Sequence, residues 1–262
     1  MAGNTSAAGD SVLARAARLL AGFDEEHHRL TLTELAARSG LATTTAHRML
    51  AELVRAGLLA KDDGGHYTVG LRLWELGELS PISIELRESA LPWLLTLYEA
   101  TAENVHFAIL DGFQALYVAR LVGPYAVPTI SRMGGRLPLH TTGVGKALLA
   151  YQDEAFLSGY FARRLERPTK FSLTSQARIR AQLREIRERG YSETHQEQSL
   201  GNTSLAVAVF GRDSRPLAAV GLVTHTVQAD VSRLVPVLHR AATGISAGLF
   251  ELMDRHGTHT FR

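Results

Sequence analysis

Several constellations in the 262-residue chain carry side chains able to do chemistry, and most fail on spacing. Gly143-Val144-Gly145-Lys146 has the glycines and lysine of a phosphate loop. Such a loop needs a Gly where His140 stands and a hydroxyl where Ala147 stands, so nucleotide hydrolysis is not expected. Glu193, His195 and Glu197 alternate along an extended run, a spacing that suits acid–base work but equally a solvent-facing strand edge. Asn202-Thr203-Ser204-Leu205 lacks the closing Gly of a nucleophile elbow. The eleven histidines include no His-Glu-x-x-His pair; His140 is the first candidate for a ligand, but no metal site and no cofactor is expected. Cysteine is absent, which removes thiolate metal sites, iron–sulfur clusters, disulfides and cysteine nucleophiles. No catalytic residue is assigned, and an enzyme is not expected.

A different chemistry survives. Thr43, Thr44, Thr45, His47 and Arg48 stand at the start of a helical stretch whose apolar stripe is Ala46, Met49, Leu50, Leu53 and Val54. Hydroxyls and a guanidinium at a helix N-terminus are the groups that reach base edges and phosphates in a DNA major groove. Thr33, read as the cap of the preceding helix, and Gly65 and His66 of a hairpin turn complete the expected DNA surface.

The elements around these residues set their positions. Val12, Leu13, Ala16, Leu19 and Leu20 recur at helical spacing after Ser11. A short helix follows over 34–39, with Thr33 as cap and Gly40 as stop. The helix after Thr43 ends at Gly57, and Leu58-Leu59-Ala60 and Tyr67-Thr68-Val69 flank Asp-Gly and Gly-Gly turn chemistry. Helix, short helix, tight turn, helix and hairpin describe a winged helix-turn-helix. Residues 71–80 continue helically, Pro81 breaks the run, and 83–100 reads as a connecting helix that Pro92 kinks or restarts.

Beyond it the pattern is α+β. Residues 105–110 and 115–120 form a hairpin across Asp111-Gly112, and 127–131 reads as a further strand. Residues 139–151 turn helical after Gly143 and Gly145, and 175–189 is a polar helix ended by Gly190. Residues 191–195, 204–210 and 217–223 alternate as strands, with a turn over 212–216. A helix over 228–253 closes the chain, with Val231, Leu234, Leu238, Ala241, Ile245, Leu249 and Leu252 on one stripe. The expected organisation is a flexible tail over 1–10, a DNA-binding domain over 11–72, a linker helix region over 73–90 and an effector domain over 91–262.

Charge does not decide the matter. The net is +2, and residues 1–72 balance eight basic against eight acidic residues, so non-specific DNA affinity should be modest. Residues 162–190 hold nine basic against three acidic residues, which invites a nucleic-acid reading but fits the solvated face of a helix. The first ten residues lack a basic segment followed by an apolar one, and no apolar run approaches about 18 residues. A cytoplasmic protein with no membrane partner is the expectation.

Three stretches together resemble the IclR family of bacterial transcriptional regulators. They are Thr33-Glu34-Leu35-Ala36 through Thr45-Ala46-His47-Arg48-Met49-Leu50 with Gly57-Leu58-Leu59; Tyr67-Thr68-Val69-Gly70-Leu71-Arg72-Leu73 with Leu76-Gly77; and Leu137-Pro138-Leu139-His140-Thr141-Thr142-Gly143-Val144-Gly145-Lys146-Ala147-Leu148-Leu149-Ala150. The resemblance implies an N-terminal winged helix-turn-helix, a linker helix and a C-terminal GAF-like effector-binding domain, an antiparallel sheet flanked by helices. It also implies homodimers or homotetramers on pseudo-palindromic operator DNA, with a small organic acid as effector. The other reading is a small-molecule sensor that has lost operator binding.

By the same resemblance, Leu139, Thr141, Thr142, Gly143 and Val144 line one wall of the effector pocket and Ser204, Gly221 and Val223 the facing wall. Family members that bind small keto acids carry a Cys and two Ser at the last three places. Gly and Val there remove two hydroxyls, so the expected effector is a larger, partly apolar or aromatic carboxylic acid derivative, and the regulated genes a catabolic operon.

Overall fold

The computed structural model describes residues 11–24, 26–124, 127–211 and 215–256. The tail over 1–10 and most of the turn over 212–216 lie outside these residues. The chain divides into two compact units, Met1–Ser83 and Ile84–Arg262, so the division falls inside the linker expected over 73–90. Among the described residues no helix is long and apolar enough to cross a membrane.

In the first unit, α1 (Val12–Leu20) is capped by Ser11, whose hydroxyl accepts from the Ala14 amide at 3.1 Å. Its apolar stripe is only partly used: Leu19 is buried, while Val12 and Leu13 are exposed. The cap of α2 (Leu32–Ser39) is Thr31, not Thr33. Thr31 has Glu34 three residues on and closes a reciprocal capping box, Thr31 N to Glu34 Oε2 at 2.7 Å and Glu34 N to Thr31 Oγ1 at 3.3 Å. Thr33 has Ala36 at that distance and sits within the helix. Gly40 ends α2 in the left-handed conformation that glycine tolerates best, φ 65°. Helix α3 (Thr43–Arg55) starts at Ala42 without a side-chain cap, so Thr43, Thr44 and Thr45 all lie in its first turn. Strands β1 (Leu59–Lys61) and β2 (Tyr67–Val69) pair antiparallel. Leu19, Leu30, Leu35, Ala46, Leu50, Leu53, Leu59 and Tyr67 fuse these elements into one core.

The connector is three pieces rather than one helix. After α4 (Leu71–Glu78) come α5 (Pro81–Glu85), a π-helical turn (Leu86–Ala90) and α6 (Leu91–Thr101). Pro92 falls in the first turn of α6, where its missing amide costs nothing.

The second unit is built on a six-stranded antiparallel sheet of order β5-β4-β3-β8-β7-β6. The strands are β3 (Asn104–Asp111), β4 (Gln114–Leu121), β5 (Arg136–Pro138), β6 (Ser192–His195), β7 (Asn202–Phe210) and β8 (Pro216–His225). Strand β5 and helix α8 (Glu154–Phe161) have no counterpart in the sequence reading. Alternation splits each strand between two cores. Val105, Phe107, Leu205, Val207, Val220 and Leu222 face α6 and α10 (Val231–His256), which contributes Leu234, Leu238, Ala241, Ile245 and Leu249. Ala108, Tyr117, Ala206 and Ala219 face α7 (Gly143–Leu149), α8 and α9 (Gln176–Arg189). The small residues on this second face let α7 lie close to the sheet. This is the antiparallel sheet with flanking helices that the GAF-like reading expects.

The strand expected over 127–131 is not formed. Pro128 has no amide to enter a ladder, and side-chain amides take its neighbours' place: Asn104 Nδ2 donates to Val127 O at 2.7 Å and Asn202 Nδ2 to Pro128 O at 3.0 Å. The segment becomes a strap tied to the sheet by side chains.

Candidate functional site

Two sites emerge, one in each unit. On α3 the buried residues Ala46, Met49, Leu50 and Leu53 occupy one side, and Thr43, Thr44, His47 and Arg48 are exposed on the other, with Thr45 half-buried between them. Positions i, i+1, i+4 and i+5 form one continuous helix face. Because Ala42 offers no side-chain cap, none of the three threonine hydroxyls is needed as the N-cap acceptor. Thr33 is exposed on α2, while Gly65 and His66 are half-buried in the hairpin turn. There Asp62 accepts from the His66 amide at 3.0 Å and pairs with Arg29, and these contacts hold its carboxyl below the usual range.

The second unit contains a cavity of about 400 Å³, its open mouth included. His106 and Tyr117 from β3 and β4, and Ser204 and Val223 from β7 and β8, form its sheet side. Leu137, Thr141 and Thr142 form the side toward α7, and Thr129, Ile130 and Ser131 of the strap another. Thr194 from β6, Glu197, Gln198 and Ser199 from the β6–β7 connection, and Asn202 at the start of β7 complete it.

Of the sequence-expected pocket residues, Thr141, Thr142, Ser204 and Val223 come together here. Leu139, Gly143, Val144 and Gly221 are not among the lining residues; Leu139 and Val144 are packed in the core beneath. Gly143 abuts Ser204 so closely that a Cβ on it would stand 2.4 Å from Ser204 Oγ. Gly221 does not open apolar volume: an added Cβ would meet Val144 Cγ1 and Ala206 Cβ at 3.0 Å, so the absent side chain makes room for α7.

The polar groups of the cavity are tied to each other. His106 Nε2 and Ser131 Oγ are 2.8 Å apart, Ser131 Oγ and Thr129 Oγ1 3.1 Å. Thr141 Oγ1 donates to Gln198 Oε1, and Asn202 Nδ2 reaches Ser199 Oγ at 2.7 Å. Burial drives the His106 imidazole down to about 3, with Arg120 adding to the effect, so it is neutral at physiological pH. Burial also raises the Tyr117 phenol.

Behind this wall lies a buried ion pair. Lys146 Nζ donates to Glu197 Oε1 at 2.5 Å and to Gln182 Oε1 at 2.7 Å, and Glu197 Oε2 accepts from the Leu173 amide at 3.3 Å. Burial lowers the Lys146 ammonium against the opposing pull of Glu197. Ser172 Oγ donates to Glu197 O at 2.6 Å and Thr169 Oγ1 to Gln196 O at 2.7 Å, which fixes the β6–β7 connection over the cavity. Lys146 is therefore a strut rather than a phosphate ligand.

The sequence missed His106, Asn202, Glu197 and the strap residues as site members. His106 carried the one readable signal, a polar side chain within an apolar strand. The others depend on pairings 23 to 74 residues apart.

Comparison with known proteins finds two family matches along the chain. Residues 12–63 match the IclR helix-turn-helix domain family, and residues 81–247 match the family described as bacterial transcriptional regulator IclR C-terminal. The chain is 33% identical over 225 residues to the HTH-type transcriptional regulator XynR of Escherichia coli, covering 84% of this chain and 88% of that one. It is 31% identical over 230 residues to the regulator KdgR of the same organism, covering 85% and 86%. Among solved structures, an IclR homolog from Microbacterium hydrocarbonoxydans, complexed with 4-hydroxybenzoate, superposes with a TM-score of 0.88 at 28% identity, over 92% of this chain and all of the other.

Proposed function

The chain belongs to the IclR family of bacterial transcriptional regulators, and from that premise we propose that a small organic acid in the Tyr117–Ser204 cavity controls its affinity for a pseudo-palindromic operator. It is a DNA-binding regulator and not an enzyme. The observation that carries the operator reading is the two-sided α3, its apolar side buried and its Thr43, Thr44, His47 and Arg48 side turned outward. A second copy, as homodimer or homotetramer in the cytoplasm, supplies the second half-site contact.

The effector is a partly apolar or aromatic acid. Ile130, Leu137, Val223 and the Tyr117 ring offer apolar area, and the Ser204 hydroxyl offers a donor to a carboxylate, joined by Thr141 once its hydroxyl turns from Gln198. Neither Lys nor Arg is among the lining residues, so neutral hydroxyl donors would hold the anion. The 4-hydroxybenzoate complex of the Microbacterium homolog supports this choice by likeness. Control of a catabolic operon follows from the same reading.

The test is fluorescence anisotropy on duplex from upstream of the gene against scrambled duplex, at two salt concentrations. Selective binding that weakens with salt is expected. Equal weak binding to both duplexes would favour a sensor without operator function.

A further inference from the structure

Four of the nine basic residues of 162–190 are engaged in hydrogen bonds. Arg180 grips Glu154 with both terminal nitrogens, Arg187 donates to Ala150 O, Arg189 to Tyr191 O and Arg167 to Lys170 O. Among the described residues Arg163 and Arg164 form no ion pair. Both line an open groove of about 820 Å³ between the β3–β4 hairpin tip and the segment after α8. Its back is the segment 136–142, which also walls the cavity described above. Leu137, Thr141 and Thr142 line the cavity, while Arg136, Pro138 and His140 line the groove.

We propose that this groove is a second ligand site, taking a small organic dianion that bears phosphate or carboxylate. Three guanidiniums stand on its wall against two carboxylates, Asp111 and Glu166. Asp111 is committed to Arg136 Nε at 2.7 Å, which leaves Arg163 and Arg164 to meet a ligand. Arg163 is already oriented, its guanidinium 5.1 Å from the centre of the Phe113 ring. A guanidinium so stacked keeps its fork free for bidentate contact with an oxyanion. His140 adds no charge: burial keeps it neutral, and its nitrogens are spent on Tyr160 Oη at 2.6 Å and Glu166 O at 2.9 Å. Those two bonds fasten the shared wall to the segment that carries Arg163 and Arg164. A dianion in the groove therefore presses on the backbone that presents Thr141 and Thr142 to the cavity.

Isothermal titration of the full chain with phosphoglycolate, and separately with succinate, tests the site and separates phosphate from carboxylate recognition. Saturable binding of at least one probe at physiological salt is expected, weakened about tenfold or more by Arg163→Met with Arg164→Met. Arg164→Glu alone should weaken it too, and both positions are exposed enough to leave the fold unchanged by circular dichroism. Absence of saturable binding by either probe would overturn the proposal. So would binding that survives the arginine substitutions, or that is lost in Val223→Trp, which would place the anion in the cavity. The operator assay is independent of every one of these outcomes.

Discussion

Substituting either partner of the Lys146–Glu197 pair should destabilise the second unit far more than substituting both. Lys146 is fully buried and the Glu197 side chain is 8% exposed. Lys146→Met leaves a carboxylate facing only the Leu173 amide, and Glu197→Leu leaves an ammonium facing only Gln182. Stranding one buried charge costs about 3–5 kcal/mol, whereas replacing a whole buried pair by apolar residues of similar size is often close to neutral. Each single variant should therefore lose roughly 3–5 kcal/mol, the double Lys146→Met/Glu197→Leu no more than about 2, giving a coupling energy of several kcal/mol. Urea denaturation can be followed by Trp93 fluorescence in a Trp74→Phe background, since the chain has two tryptophans and Trp93 packs on Gly244 of α10. If the double variant instead costs the sum of the singles, the two residues act independently and the strut reasoning fails.

Three further outcomes follow from the same structure. Arg48→Ala should weaken operator binding by about 1–3 kcal/mol per half-site and leave ligand affinity unchanged, measured by anisotropy and calorimetry; unchanged operator affinity would misplace the DNA-reading face. Thr31→Ala should destabilise the first unit by about 1 kcal/mol while Thr33→Ala is nearly silent, and equal effects in denaturant titrations would contradict the capping box. His106 is held at about 3 against an ordinary 6.5, so below pH 6.5 the unfolded chain takes up a proton that the folded chain refuses. Stability is then lost as pH falls from about 6.5 toward about 3, roughly 2 kcal/mol by pH 5, and His106→Gln should lose less over that interval by about this amount.

What could be read in advance follows from the range of the interactions. Stripes at 3.6 spacing located α3 and α10, a threonine cap and Gly40 bounded α2, and Gly190 ended the polar α9, because these signals lie within a few residues. Local chemistry also explains the error at the start of α2. Thr31 and Thr33 are both plausible caps, and the reciprocal Glu34 contact chooses Thr31. Burial is a weaker inference: the apolar periodicity of α1 is real, yet Val12 and Leu13 remain exposed. The strap over 127–131 has strand-like residues but meets the sheet through Asn104 and Asn202, a long-range arrangement no local pattern encodes. In the cavity, the α7 side was accessible through a family resemblance, whereas Glu197 and His106 gain meaning only from Lys146 and Ser131 beside them.

Regulation requires one coupling, between ligand in the cavity and grip on DNA. Its most direct test is to titrate a panel of aromatic and aliphatic acids, 4-hydroxybenzoate included, into the preformed protein–operator complex. Wild type and Gly143→Leu would be compared by anisotropy, since any side chain at 143 collides with Ser204. At least one partly apolar acid should shift operator affinity saturably in the wild type, and Gly143→Leu should still bind the duplex but no longer respond. An acid that binds by calorimetry yet leaves operator affinity untouched, or an undiminished response in Gly143→Leu, would contradict that coupling.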